Sequence, residues 1–205
     1  RAAALLELHG AFDDAVQLHM EAADWSEVTR LVEERASDLL AKGRGQTLRD
    51  WISALPAEHL QANHRLRFWL GTSLIPIDQV RARQQLELAF GEFQSRLDVI
   101  GQIETTSRII TTYYFEWSCF EPLGRWIEIL EELLSARPDY PSPEIEFDAY
   151  SSMLLAEPMV SSWKARLALE FDCRNGKTAL AGKSHDGPLV LQKPLYPEGS
   201  GVCHA

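Results

Sequence analysis

Apolar residues recur every three or four positions through most of the first 157 residues, and this spacing constrains the fold more than any other feature. Residues spaced in this way lie on one face of an α-helix. Further stripes of this kind begin at Phe12, Trp25, Leu48, Leu86 and Ile103. The most regular stripe follows Pro122 and consists of Leu123, Trp126, Ile127, Leu130, Leu133 and Leu134. Consecutive helices of about 10–18 residues joined by short turns predict antiparallel helix neighbours, as in an α-solenoid or a bundle.

Several residues mark the expected ends of these helices. Asp24 is predicted to be an N-cap, with Glu27 three residues later completing a capping-box pattern. Gly43 is predicted to end the same helix, and Gly101 to separate two later ones. The proline-rich stretch 138–143 reads as a linker that precedes one last helix, which ends before Pro158.

The composition changes near residue 158. Residues 1–158 contain 14 basic and 26 acidic side chains, for a net charge of −12, whereas residues 159–205 contain 6 basic and 4 acidic side chains, for a net charge of +2. Glycine also becomes denser, from 7 in the first 158 residues to 5 in the last 47. We therefore divide the chain into a helical-repeat region, 1–157, and a C-terminal segment, 158–205.

The periodicity of the C-terminal segment differs from that of the helical region. Apolar side chains alternate with other residues from Trp163 to Phe171, which is typical of a β-strand. Asn175-Gly176 is a strong hairpin signal, and second and third strands are expected at 177–183 and 189–193. The predicted fold class is mainly α, with an antiparallel helical-repeat region followed by a short β-hairpin or three-stranded segment.

Charge and composition exclude several classes of protein. The net charge of −10 opposes attraction to a nucleic-acid backbone, so we expect no direct nucleic-acid binding. The sequence contains no run of about 18 uncharged apolar residues, so it predicts no membrane-spanning helix. It also contains no basic-then-apolar leader that would support secretion. Three scattered cysteines do not make a disulfide framework, so a cytoplasmic location is expected. Because the sequence begins at Arg1, we expect it to be a piece of a longer reading frame or a processed product.

No motif in the sequence predicts catalysis or a bound cofactor. Gly176-Lys177-Thr178 and Gly182-Lys183-Ser184 resemble the end of a phosphate-binding loop, but the glycine required five residues earlier is replaced by Phe171 and Lys177. Cys203 and His204 are metal-ligand types, yet adjacent residues of an extended segment point to opposite faces. The remaining histidines, the paired glutamates and the tryptophans are interpreted as helix surface or core. We therefore predict no enzyme activity, no catalytic residue, no metal ligand and no cofactor.

Part of the helical region resembles a known family of regulators. The stretches LHGAFDDA at 8–15, AADWSEV at 22–28 and GRGQTLRDWISALP at 43–56 resemble the helical region of MalT-like, LuxR-family transcription activators. In that family the region leads into tetratricopeptide-like repeats that sense an inducer or a regulatory protein. The resemblance covers most of residues 1–157 and implies a sensor built from helical repeats.

The C-terminal segment resembles a different family. The stretches HDGPLVLQKPLYPEG at 185–199 and VCH at 202–204, with residues 162–171 before them, are similar to the start of the urease accessory protein UreD, also called UreH. The family-motif residues in this chain are His185, Gly187, Pro188, Leu189, Gln192, Lys193, Pro194, Tyr196, Pro197, Glu198, Gly199, Cys203 and His204. The resemblance implies a scaffold that binds urease apoprotein and the accessory proteins UreF and UreG during nickel insertion. In the family further strands follow the Cys-His pair, so only the opening strands are represented here.

Two functions follow from these resemblances. The first is a non-catalytic, partner-binding urease accessory factor, with the helical region as an appended scaffold and nickel involved only through the urease pathway. The alternative is the sensor region of a MalT-like activator with a passenger tail. A small hydrolase or NTPase is a third hypothesis, which only the incomplete phosphate-loop copies favour.

Overall fold

The structure is a computed structural model that describes residues 2–116, 122–136, 139–156 and 158, and most of these residues are helical. Residues 143–156 form a last helix, which we label α10. The preceding helices are α1 Ala2–Leu8, α2 Phe12–Glu21, α3 Trp25–Ala41, α4 Gly45–Ala54, α5 Ala57–Ala62, α6 His64–Leu74, α7 Gln79–Ser95, α8 Val99–Glu116 and α9 Leu123–Ser135. The prediction that the chain is mainly α-helical is confirmed.

Each helix packs chiefly against its neighbours in the chain. Contacts join α1 to α2, α2 to α3 and α3 to α4, and then α6 to α7, α7 to α8 and α8 to α9. Helices α3 and α4 also contact α6, which links the two halves. The connections are short, for example residues 96–98 between α7 and α8. Short connections bring the next helix back alongside the previous one, as the sequence predicts.

The ends of α3 follow the sequence prediction in position but not in every contact. Asp24 is the N-cap residue, yet its side chain makes no capping hydrogen bond to the backbone and accepts one from the Ser26 hydroxyl instead, at 3.1 Å. Glu27 accepts a hydrogen bond from the Arg30 guanidinium at 2.8 Å. Gly43 follows the C-cap with a φ of 72°, a left-handed conformation that glycine adopts without steric cost.

The boundary between α7 and α8 lies elsewhere than predicted. Gly101 was expected to separate the two helices, but it lies within α8, and the chain turns at Leu97, whose φ is 58°. A Cβ atom at Gly101 would stand 2.2 Å from a ring carbon of Phe93. This glycine therefore permits α7 and α8 to approach closely and does not end a helix.

The buried apolar side chains form two clusters. The first core is built by α1–α4 with the start of α6, and its fully buried members include Val28, Leu31 and Leu48. The second core is built by α6–α10, and its fully buried members include Phe93 and Leu130. Trp69 and Leu70 of α6 pack against both clusters, so α6 connects the two cores.

The β part of the predicted fold class is wrong for the structure in hand. No strand is present in residues 2–116, 122–136 or 139–156, and the expected strands at 163–193 lie outside the described residues. Alternation of apolar residues indicates a strand only where partner strands and a covering layer are available. The described helices offer no sheet for such a strand to join.

Candidate functional site

Helix α8 positions the charged groups of the candidate site. Ten of its eighteen residues are buried, and several of these are threonine or serine. The hydroxyls of Thr105, Thr106 and Ser107 donate to the carbonyl oxygens four residues earlier, at 2.6–2.8 Å. These bonds satisfy polar side chains that would otherwise be costly to bury. A helix buried on most of its surface can present Glu104 and Arg108 from a fixed position.

A groove of about 520 Å³ lies between α3, α6, α8 and the start of α10. Its apolar lining includes Leu40 of α3, Phe68 and Trp69 of α6, and Ile145 of α10. Its polar lining consists of Ser37, Glu104, Arg108, Ser142, Glu144 and Asp148. We call this surface the α3–α8 groove. An apolar floor with a few polar groups is the usual composition of a binding site in proteins.

Most charges in the α3–α8 groove are paired. The guanidinium of Arg108 lies 2.5 Å from the carboxylate of Asp148, which attaches α10 to α8. The guanidinium of Arg65 lies 2.6 Å from the carboxylate of Glu104, which attaches α6 to α8. These pairs hold the groove walls together, because each joins residues about 40 positions apart in the chain.

Glu144 is the exception among the groove carboxylates. It is exposed, and a hydrogen bond from the Ser142 side chain lowers its pKa below the ordinary value, so it is ionised at neutral pH. Within the described residues no lysine or arginine lies at ion-pair distance from it. Because Glu104 and Asp148 are each paired with an arginine, Glu144 is the one lining carboxylate whose charge is uncompensated, which favours a cationic ligand group.

A second cluster of titratable groups lies beside the first core and is half-buried. Glu7 of α1, His19 of α2 and Glu27 of α3 each place one possible ligand atom within 4.8 Å of the others. His19 Nε2 is buried without a hydrogen-bond partner and lies 3.7 Å from Glu7 Oε1. On the other side of the ring, His19 Nδ1 lies 3.5 Å from an oxygen of Asp24. A histidine and two carboxylates can hold a divalent cation such as Zn²⁺.

Arg30 already supplies a positive charge to this cluster. Its guanidinium lies 2.9 Å from Glu7, 2.8 Å from Glu27 and 3.0 Å from Glu34. The hydrogen bonds that Arg30 donates to Glu7 and Glu27 raise the pKa of Arg30 above its ordinary value. The cluster is thus an ion-pair network that connects α1 to α3, and any added cation would compete with Arg30.

The second core contains a more buried arginine. Arg83 of α7 donates to the carboxylate of Glu116 at 2.5 Å and to the Thr112 hydroxyl at 3.0 Å. Its guanidinium carbon also lies 4.1 Å from the centre of the Tyr113 ring. The side chains of Arg83 and Glu116 are 14% and 21% exposed, so this pair is shielded more than the Arg30 network.

The residues that the sequence singles out for function fall largely outside the described part of the chain. The UreD motif residues, from His185 to His204, and both phosphate-loop-like copies lie outside the described residues. Of the helical histidines, His9 bonds the Leu5 carbonyl at 2.7 Å, and His64 is half-buried with its ring edge against Phe93. The sequence analysis missed Glu104, Arg108 and Asp148, since residues so far apart in the chain carry no common local pattern.

Comparison with known proteins identifies the C-terminal segment. Residues 164–205 match the family described as UreD urease accessory protein. UreD of Methylobacillus flagellatus is 64% identical over 42 residues, which are 20% of this chain and 15% of that protein. UreD of Ralstonia nicotianae is 48% identical over 67 residues, which are 33% of this chain and 19% of that protein. The predicted UreD resemblance is confirmed, and we call residues 164–205 the UreD-like segment.

The matches cover a limited part of each protein. The chain spans between 15% and 20% of the length of these relatives, including UreD of Azoarcus sp., to which it is 47% identical over 58 residues. No solved structure matches the chain. The matches give no support to the MalT-like resemblance of residues 1–157, which stays a prediction. Within the described helices, none is long and apolar enough to cross a membrane.

Proposed function

We propose that this chain is a non-catalytic, partner-binding protein of urease maturation, in which a helical scaffold carries the UreD-like segment. The observation that carries the proposal is the match of residues 164–205 to UreD, with 64% identity over 42 residues in one relative. The proposed partners are urease apoprotein and the accessory proteins UreF and UreG. Nickel enters only as the metal that urease receives, and the chain itself is proposed to hold no cofactor.

The α3–α8 groove supports a binding role for the helical region. Its apolar floor includes the half-buried Leu40, Trp69 and Ile145, which offer area to a partner side chain, and aromatic residues contribute strongly to protein interfaces. The charged side chains of its walls already form the ion pairs Arg65–Glu104 and Arg108–Asp148. Each of these carboxylates already accepts a hydrogen bond from an arginine, so neither is free to take a proton from a substrate. This arrangement favours binding over catalysis.

Direct binding of urease apoprotein tests the proposal. The full chain is immobilised, and urease apoprotein is supplied over a concentration series in biolayer interferometry. We expect saturable binding that Tyr196→Asp weakens by at least about tenfold, since tyrosine is enriched among interface hot spots. Ser95→Asp is the matched control, because Ser95 is exposed at the end of α7 and lies far in sequence from the UreD-like segment.

Two results would contradict this function. One is the absence of saturable binding by the unmodified chain at concentrations up to about 100 μM, where even a weak specific complex would register. The other is equal loss of binding in Tyr196→Asp and Ser95→Asp, which would mean that the UreD-like segment makes no specific contribution. Far-ultraviolet circular dichroism of both variants checks that the helical region is intact.

A ligand-sensing role is the second candidate function, and the volume of the α3–α8 groove favours it. At about 520 Å³ the groove lies within the range of small-molecule sites. A sensor would bind an inducer there and would not need the UreD-like segment. A metabolite that raises the melting temperature of the chain, with the effect lost in Trp69→Ala and kept in Tyr196→Asp, would support this alternative.

A further inference from the structure

The α3–α8 groove has two properties that restrict what can occupy it. Its floor is apolar, formed by Leu40, Phe68, Trp69 and Ile145. Its rim is acidic, since Glu144 is ionised and exposed and has no basic partner among the described residues. An occupant that combines apolar side chains with lysine or arginine would satisfy both properties.

The chain contains a segment with this combination close to the groove in sequence. Residues 163–171 read WKARLALEF, so Lys164 and Arg166 stand among the apolar residues Trp163, Leu167 and Phe171. The segment carries two positive charges and one negative charge. More broadly, residues 159–205 have a net charge of +2 and residues 1–158 a net charge of −12, so the two parts attract each other electrostatically.

The distance along the chain allows this segment to reach the groove. Helix α10 begins at the groove, where Ile145 and Asp148 line it. From Asp148 to Pro158, which is also helical, the chain advances roughly 15 Å, at about 1.5 Å per residue. The five residues from Pro158 to Trp163 can span roughly 17 Å when extended. The segment can therefore turn back along α10 and place Trp163 at the groove.

Covalent linkage makes this occupant more competitive than a free peptide. A segment joined to its site by a short stretch of chain has an effective concentration of about a millimolar. Even a weak affinity would then keep the groove occupied in most molecules. A separate partner would have to exceed this concentration or bind more tightly.

We propose that the α3–α8 groove is the docking site for residues 163–171 of the same chain, with Trp163 or Leu167 on the apolar floor and Lys164 or Arg166 beside Glu144. Docking would cover the apolar floor and hold the UreD-like segment next to the helical region. The proposal does not depend on the urease role, because both the groove and its occupant belong to this chain.

Cysteine cross-linking in the full chain tests the docking. Cys119, Cys173 and Cys203 are replaced by serine, Ala165→Cys marks the segment, and Ser37→Cys marks the groove. The matched control places the second cysteine at Ser26, which is exposed on the same helix, α3, but lies roughly 16 Å from Ser37 along the axis. Both proteins are treated with the short thiol cross-linker dibromobimane, and the products are mapped by mass spectrometry.

We expect the Ser37→Cys pair to cross-link within one molecule at least about fivefold faster than the Ser26→Cys pair, because docking raises the local concentration of the thiols. Adding Glu144→Lys, or both Lys164→Glu and Arg166→Glu, should reduce the rate to that of the control. Equal rates for the two pairs would overturn the proposal, as would a fast rate that charge reversal leaves unchanged. Cross-links between molecules that disappear on dilution would assign the groove to a second copy and also overturn it.

A second measurement needs no substitution and covers the case in which the cysteine-free chain does not fold. A carbodiimide joins a lysine amine directly to a carboxylate with which it is in contact. In the unmodified chain we expect Lys164 to cross-link to Glu144 or Asp148 within one molecule, and 1 M NaCl to reduce the yield severalfold by screening the attraction. Cross-links of Lys164 spread evenly over exposed carboxylates, such as Glu58 and Glu128, would overturn the proposal.

Discussion

The two cores of the helical region are built on different principles. In the first core the helices α2, α3 and α4 each bury one apolar face and leave a charged face in water. In the second core, α8 is buried on most of its surface, and threonine and serine hydroxyls bond back to the helix backbone. The first arrangement is a simple amphipathic stack, whereas the second needs polar groups to find partners inside the core. The comparison predicts that substitutions in the second core lower the free energy of unfolding more than substitutions in the first core.

The largest expected effect is the loss of a fully buried side chain in the second core. Leu130 of α9 is fully buried, and Leu130→Ala should destabilise the chain by roughly 2–5 kcal/mol through lost burial and the cavity left behind. Glu131→Ala, at the next and exposed position, should change stability by less than about 0.5 kcal/mol. Urea unfolding midpoints check both values. Equal effects would mean that α9 does not bury the face described above.

The two arginine networks provide a direct comparison of the cores. Arg83→Met should cost roughly 1–3 kcal/mol, because it leaves Glu116 and Thr112 without their partner in a shielded position. Arg30→Met should cost at most about 1 kcal/mol, since the Arg30 side chain is 37% exposed and Glu27 is 40% exposed, so that water can replace the guanidinium.

The salt dependence of urea unfolding separates these two arginine variants. The effect of Arg30→Met should shrink in 0.5 M NaCl, because salt screens exposed charges more strongly than buried ones. A larger loss of stability for Arg30→Met than for Arg83→Met would reverse the comparison between the cores.

Substitution of two glycines by alanine distinguishes the effect of close packing on stability from the effect of helix propensity. Gly101→Ala should destabilise the chain by roughly 1–3 kcal/mol, because its Cβ would meet the ring of the fully buried Phe93. Gly91→Ala should stabilise it by up to about 1 kcal/mol, because Gly91 lies within α7 and nothing stands within 4 Å of its added Cβ. Thermal unfolding of the two variants provides the measurement, and a shift of the same sign in both would refute the close approach of α7 and α8.

The smallest expected effect is the pH dependence contributed by His64. Burial, followed by the nearby Arg96, lowers its pKa below the ordinary value of 6.5. The unfolded chain therefore binds this proton more strongly, so the contribution of His64 to stability is full above pH 6.5 and falls as the pH drops below it. His64→Gln should flatten the loss of stability between pH 7.5 and 5.5. His59→Gln, in the neighbouring helix α5, is the control and should leave the slope unchanged.

The sequence predicts helices with one apolar face better than a helix that contacts both cores, for physical reasons. A helix with one apolar face has a clear period, which is why α2, α3, α4 and α9 were located from their stripes. The sequence pattern does not predict helix α6, because this helix contacts both cores and so has no single apolar face. The sequence predicts a helix end at Gly101 because glycine often ends a helix, whereas in the structure this glycine permits the close contact with Phe93.

The candidate site was even less accessible from the sequence. The α3–α8 groove joins Ser37, Trp69, Glu104 and Asp148, which lie in four different helices. Only the packing of those helices brings these residues together, and no local periodicity in the sequence indicates their proximity. The UreD-like segment shows the opposite behaviour, because its motif is continuous in the chain and was recognised directly.

Limited proteolysis tests most directly the central claim that a self-contained helical region precedes a separate UreD-like segment. Helix α10 packs on the second core through Ala149 and Ala156. The first cuts by a broad-specificity protease should therefore fall near residues 137–142 or 157–162, and should release a helical fragment of about residues 1–137 or 1–157 that resists further cleavage. Early cuts within residues 12–42, with 137–162 intact, would contradict this account.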